Sequence, residues 1–180
     1  MQAKCLPSRE VVRQLLTYDP NIGMLTWLPR KRWQFRSNPA FVMWNIRYAG
    51  GFAGTAKVPT GNVIAIDDHQ YRTHRIIWLL VHGDPVPDVI DHIDGDPFNN
   101  RISNLRAATD PQNKWNTALS RNNTSGFKGV TFNKLKGQFQ ATVRCNGRRY
   151  WAGYFATAEE AAIGRRELAM RLHGDFVRHG

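Results

Sequence analysis

Apolar residues recur at helical spacing near the start of the chain. Val11, Val12, Leu15 and Leu16 share one face of a helix expected over residues 8–17, with Ser8 as its N-cap. The Asp19-Pro20-Asn21 run stops that helix, Gly23 turns the chain, and residues 24–28 read as a short strand. Two further runs, 62–66 and 70–73, flank Asp67-Asp68 as a hairpin. A helix follows over 74–82, with Ile76, Ile77, Leu79, Leu80 and Val81 expected in the core. His74, Trp78 and His82 line up on it at i, i+4 and i+8, but no carboxylate or cysteine accompanies them. They read as structural or backbone-contacting residues. Residues 29–60 show no dominant period. Arg30, Lys31, Arg32 and Arg36 are mixed with Trp33, Phe35, Phe41 and Trp44, ahead of Gly50-Gly51 and Gly54. That mixture suits a DNA contact and a partly buried loop equally.

The last third has a different rhythm. A polar, turn-forming cluster at 122–126 reads as a linker. Strands are expected at 129–133, 138–145 and 148–155, the last two joined by an Asn146-Gly147 turn. Phe139, Ala141, Val143 and Cys145 alternate with Gln140, Thr142 and Arg144, so one face is apolar and the other polar. On the third strand Arg149 and Trp151 belong to the outward set, and Tyr150 and Ala152 to the inward one. Thr157 and Glu160 form a capping box that opens a helix. Its apolar face is Ala161, Ala162, Leu168, Ala169 and Leu172, and it ends near Gly174.

Charge changes the picture more than size does. The 180 residues carry 25 Lys and Arg against 14 Asp and Glu, a net charge of +11, which points to a polyanionic partner. No acid occurs between Asp110 and Glu159, where eight basic residues are interleaved with Phe127, Phe132, Phe139, Tyr150 and Trp151. A structured nucleic-acid surface accounts for this better than a solvated face or a membrane surface. Cys5 and Cys145 are isolated, which excludes a disulfide framework and a cysteine-ligated zinc. No signal-like or membrane-spanning run is present, so a reducing cytoplasm is the expected location.

The chemistry concentrates in residues 89–116, VIDHIDGDPFNNRISNLRAATDPQNKWN. A short apolar run delivers Asp91 and His92, and a Gly-, Asp-, Pro- and Asn-rich loop follows. Then come Asn104-Leu105-Arg106 and a helix, opened by Thr109 or Asp110, that carries Asn113 and Asn116. Hydrolysis of a phosphodiester needs a base active near neutral pH, the natural role of histidine. It also needs a hard cation held by few protein oxygens, which Asp91 and Asn113 can supply. Asp94 and Asp96 read as loop residues capping their own backbone, while Arg101 and Arg106 are open between phosphate contact and packing.

This stretch resembles the HNH motif of the ββα-metal nucleases, in particular the phage HNH homing endonucleases, in its DHIDGD, NN-R-x-x-NLR and later Q-N. The resemblance implies His92 as general base, Asp91 and Asn113 as metal ligands, and Asn104 as the middle Asn that pins the loop and orients His92. It implies one Mg2+ or Mn2+ per active site, no zinc, and products with 5′-phosphate and 3′-hydroxyl ends. Residues 126–173 in turn resemble the AP2 DNA-binding domain, through GFKGVTF, GQFQATVR, RRYWAGYF and TAEEAA. That implies a sheet in a major groove, with Gln140, Thr142, Arg144, Arg149 and Trp151 towards the bases and Lys134 and Lys136 on phosphates. Thr131 and Thr142 depart from the plant pattern, so plant target sequences do not transfer.

The expectation is an α+β protein. Residues 1–60 form an N-terminal region, 61–121 the ββα-metal nuclease core, 122–126 the linker, and 127–180 an AP2-like three-stranded antiparallel sheet on one helix. The expected partner is double-stranded DNA, without a membrane or a small-molecule cofactor, for a monomer or homodimer. A regulator that binds DNA without cutting it is the rival reading. An RNA-directed nuclease or binder is less suited, because a sheet does not fit the narrow A-form groove.

Overall fold

The computed structural model describes residues 5–115, 119 and 122–174, and these divide into two compact units between Ala107 and Ala108. Both are mixed helix and antiparallel strand.

In the first unit, helix α1 (Arg9–Leu15) opens at Ser8, whose hydroxyl accepts from the Val11 amide. It is shorter than its apolar spacing predicts. Leu16 leaves the helix in extended conformation and starts strand β1 (Leu16–Asp19), which pairs with β2 (Met24–Trp27) around the Gly23 turn. Leu16 is therefore buried from a strand, while Val11, expected on the apolar face, is exposed. Residues 29–60 resolve into a 3-10 turn, helix α2 (Asn38–Tyr48) and strands β3 (Phe52–Ala53) and β4 (Ala56–Val58). Helix α2 is held by aromatic contact: Trp44 meets Trp27 edge-on at 5.7 Å, and the Arg30 guanidinium lies 4.3 Å over Trp44. The Asn45 side chain meanwhile bonds both the N–H and the C=O of Arg30.

Strands β5 (Gly61–Ile66) and β6 (His69–Arg72) form the expected hairpin, with Asp67 and Asp68 both at positive φ as a tight primed turn requires. Helix α3 (Thr73–His82) follows directly. Strands β7 (Val89–His92) and β8 (Leu105–Ala108) make a separate two-stranded ladder. One core joins these elements through Val12, Leu16, Leu25, Ile64, Ile76, Ile77, Ile90 and Leu105. Burying such side chains contributes roughly 1.5–3 kcal/mol each, and it fixes β7 against α3.

The second unit carries α4 (Asp110–Trp115) and then β9 (Val130–Asn133), β10 (Gln138–Cys145) and β11 (Arg148–Phe155), with β10 central. The polar cluster ahead of β9 is hydrogen-bonded: the Ser125 hydroxyl reaches the carbonyls of Phe127 and Val130 at 3.0 and 2.7 Å. Helix α5 (Ala158–His173) opens on the Thr157–Glu160 capping box and packs its alanines on the sheet. Val130, Ala141 and Ala161 form one small core, Val143 and Ala169 another. Tyr150 pairs with Val143 and so shares the helix side, yet it is exposed, not buried as the alternation predicts. No described helix is long and apolar enough to cross a membrane.

Candidate active site

Asp91 and His92 end strand β7, and both are buried. The alternation that sends Ile90 into the core delivers them to the strand's end, where the backbone turns into the loop. The Ile93 amide donates to the Asn104 carbonyl at 2.9 Å, closing the β7–β8 ladder beside them.

The loop from 93 to 104 is built on asparagine and aspartate side chains. Asn104 accepts from the Asp94 amide at 3.1 Å and donates to the Asp94 carboxylate and the Asn99 carbonyl, both at 2.9 Å. Asp94 also accepts from the Asp96 amide and from the Asn99 side chain at 2.7 Å. Burial pushes the Asp94 carboxyl up, but those hydrogen bonds and the nearby His92 outweigh it and hold it below its ordinary value. Asp96 accepts from the Phe98 amide. Asp94 and Asp96 are thus bonded within their own loop.

His92 places Nε2 at 3.1 Å from Oδ1 of Asn100, itself 3% exposed. Its ring stands edge-on to His74 of α3, with centroids 5.1 Å apart. Burial first, then His92, Arg75 and Arg72, push the His74 pKa down to about 3, so His74 meets His92 as a neutral ring. Asp91 Oδ2 receives both Nε and Nη2 of Arg106, at 2.8 and 2.7 Å. Of the packing and phosphate readings left open for Arg106, the arrangement displays an ion pair.

The loop is braced from the far end of the unit. The Tyr18 hydroxyl donates to the Asn100 carbonyl and accepts from the Ile102 amide at 2.8 Å, and Arg101 Nε donates to the Asn21 carbonyl at 2.7 Å. Gly23, at φ +73°, fits so closely that a Cβ there would stand 2.6 Å from the Arg101 nitrogen. Asn100 and the Tyr18 brace are absent from the sequence-derived site. The doubled Asn99-Asn100 carried the only signal for the first, and no local pattern signals the second.

Asn113 lies exposed on α4, in the second unit, where Thr109 and Gln112 cap the helix: Gln112 Oε1 accepts from the Thr109 amide at 2.7 Å. Asn116 falls outside the described residues. Among the described residues no three His, Cys, Asp or Glu side chains gather as a metal-ligand group. The Asp91 carboxylate, in the first unit, is a hard oxygen donor of the kind magnesium and manganese take together with water.

The polar side of the second unit's sheet presents Gln140, Thr142 and Arg144 of β10 opposite Tyr154, Trp151 and Arg149 of β11. Gln140 donates to the Thr131 hydroxyl at 3.0 Å, and Trp151 is 60% exposed. Lys134 and Lys136 sit in the β9–β10 turn, with Lys136 Nζ 4.2 Å over the Tyr154 ring. Tyr154 is a surface residue that strict alternation assigns to the inside. The register shifts between Ala141 and Thr142, leaving Ala152 as an extra residue and turning Tyr154 to the side of Trp151, with ring centroids 5.2 Å apart. Gly153, an isolated glycine inside a strand, was the available sign of that bulge.

The family described as HNH endonuclease matches residues 71–114, a span that contains Asp91, His92, Asn104 and Asn113. Protein 3.8 of Escherichia phage T7 is 34% identical over 111 residues, covering 59% of this chain and 88% of that protein. Uncharacterized HNH endonuclease L560 of Acanthamoeba polyphaga mimivirus is 33% identical over 120 residues, 66% of this chain and 62% of that protein. No solved structure matches.

Proposed function

We propose that the chain, whose residues 71–114 match the HNH endonuclease family, is a divalent-metal-dependent enzyme that hydrolyses a phosphodiester bond in double-stranded DNA. The observation that carries the reading is the pair Asp91–His92 at the end of a buried strand, facing a loop that Asn104 ties together at three points. In this reading His92 is the general base. With Nε2–H donating to Asn100 Oδ1, Nδ1 is the basic nitrogen that takes the proton of the attacking water. Asn104 positions His92 through the loop. Asp91 and Asn113 would be the protein ligands for one Mg2+ or Mn2+, which when bound would supply charge neutralisation for the phosphodiester. Arg106, which holds Asp91 in place, stands within reach of the same charge.

The second unit is read as an AP2-like module whose polar sheet face enters a major groove. Arg149, Arg144, Gln140 and Thr142 meet base edges there, Trp151 offers apolar contact, and Lys134 and Lys136 meet phosphates. Tyr154 joins that face. A homing-type role in phage-genome mobility is consistent with the viral relatives, and one site per chain makes a monomer a nicking enzyme.

The test is a supercoiled-plasmid assay with Mg2+, with EDTA, and with His92→Ala beside wild type. Magnesium-dependent open circles from wild type alone are expected. No cleavage of a DNA carrying the bound site, with a persisting band shift, would favour the non-cleaving regulator.

A further inference from the structure

We propose that a cavity at the open edge of β10 in the second unit is a phosphate site that holds a backbone phosphate of duplex DNA; this rests on reading that unit as a duplex-binding module. The cavity measures about 720 Å³ and draws Lys128, Arg144, Arg149, Arg165 and His173 to one place. It exists because the strands differ in length. Strand β9 pairs with β10 only as far as Val130 opposite Ala141, so the edge of β10 beyond the Thr142 amide, which bonds the Gly129 carbonyl, has no strand beside it among the described residues.

Helix α5 packs on the opposite side of the sheet, yet Arg165 reaches this edge. Gly129 leaves the space: at φ +69° it has no side chain, and a Cβ there would stand 2.9 Å from Arg165 Nε and 2.5 Å from the Thr142 carbonyl. Arg165 Nε is buried with no hydrogen-bond acceptor among the described residues. Nor, among those residues, does a carboxylate pair with Arg144, Arg149 or Arg165. Among the described residues one acid, Asp110, lines the cavity against these cations. Burial first, then Arg165 and Lys128, hold the His173 pKa below its ordinary value, so its ring enters as a neutral hydrogen-bonding group.

A buried guanidinium Nε with no acceptor among the described residues, set among further cations, calls for an anion, and the planar fork of Arg165 matches phosphate oxygens. Position selects the source. Arg144 and Arg149 are cross-strand partners on the polar face. The cavity therefore opens beside the surface that would enter a groove, where the flanking phosphates run. Arg165 would grip from the side, adding affinity without reading a base.

Arg165→Gln tests this in EDTA, by fluorescence anisotropy on two unrelated duplexes over a salt series. Affinity is expected to fall several-fold on both alike, with the slope of log K against log salt shallower by about 0.9. Arg165→Lys should keep the wild-type slope; equal loss in both variants would make Arg165 structural and overturn the proposal, as would an unchanged slope in Arg165→Gln. Inorganic phosphate, titrated against the arginine Nε–H signals in NMR, should shift Arg165 and compete with DNA. A shift without any loss of DNA affinity in Arg165→Gln would indicate a free anion and overturn the DNA source. Should wild type bind no duplex at all, the DNA-binding reading fails by itself, and absence of a phosphate shift then overturns the cavity as an anion site. None of these readouts depends on cleavage.

Discussion

Nε2 of His92 stands 3.1 Å from Oδ1 of Asn100, a buried amide whose own backbone carbonyl accepts from the Tyr18 hydroxyl. The imidazole is thereby held in orientation by a buried, braced partner. His92→Ala is expected to abolish cleavage with duplex affinity intact. Asn100→Ala should keep the fold and lower the cleavage rate about ten- to a hundredfold. Plasmid nicking rates beside band-shift affinities check both.

Asn104 satisfies the Asp94 amide, the Asp94 carboxylate and the Asn99 carbonyl from one side chain. Removing it loses three hydrogen bonds to partners that water can still reach, each contributing about 0.5–1.5 kcal/mol net. Asn104→Ala should therefore lower stability in urea unfolding and abolish activity even where the fold survives. Asn104→Asp would keep the acceptor, lose both donations and set a carboxylate against that of Asp94, so its loss is expected to be at least as large.

The Arg106 fork on Asp91 pairs two groups of low exposure, 16% and 4%. Deleting one partner of such a pair costs about 3–5 kcal/mol, because the other charge stays behind. Arg106→Met should show a loss towards that size in EDTA. Millimolar Mg2+ should return part of it in thermal unfolding, since a cation at Asp91 replaces the missing charge. The same addition to an Asp91→Asn variant should return nothing.

His74 is held neutral in the folded chain, its pKa pushed to about 3 by burial and by neighbouring His92, Arg75 and Arg72. The unfolded chain takes up a proton below about 6.5, so His74 makes folding less favourable as pH falls from there towards 3. The stability gap between wild type and His74→Gln should therefore shift against wild type by up to about 2 kcal/mol between pH 6.5 and pH 5. Urea unfolding at both pH values measures it, and a gap constant with pH would contradict the buried neutral ring.

Arg149 faces outward beside Trp151, opposite Arg144. If it meets a base edge, Arg149→Ala should cost roughly 1–3 kcal/mol on the preferred site and reduce discrimination between sites. Equal loss on every duplex, with a shallower salt dependence, would assign it to a phosphate instead.

Much of this architecture was legible from period and punctuation. The β5–β6 hairpin announced itself through Asp67-Asp68, and α5 through Thr157 and Glu160. Strands β10 and β11 have the boundaries their alternation gives. Misreadings arose where tertiary contact overrode local preference. Leu16 has helical spacing but pairs as a strand with Trp27. Tyr154 changes sides because one extra residue at Ala152 breaks the two-residue period. Helix α2 escaped because its stability lies in Trp44, Arg30 and Trp27, side chains far apart in sequence, and it leaves Met43 and Ile46 exposed. Among the site residues, Asp91 and His92 stood out by type, and Asn104 was marked by the resemblance to the HNH motif. Asn100 needed the folded loop to reveal its partner.

The brace formed by Tyr18, Asn21 and Gly23 makes the nuclease motif a poor candidate for transplantation. A fragment spanning 71–114 would carry Asp91, His92, Asn104 and Asn113 and leave behind the hydroxyl and carbonyl that clamp residues 100–102. Grafted onto another DNA-binding scaffold, that cassette would keep its side chains while its loop sampled many shapes. An engineered chimera would have to begin at α1. During synthesis the order runs the other way: the clamp leaves the ribosome some eighty residues before the loop it holds, so residues 100–102 can close onto a prepared partner as soon as they emerge.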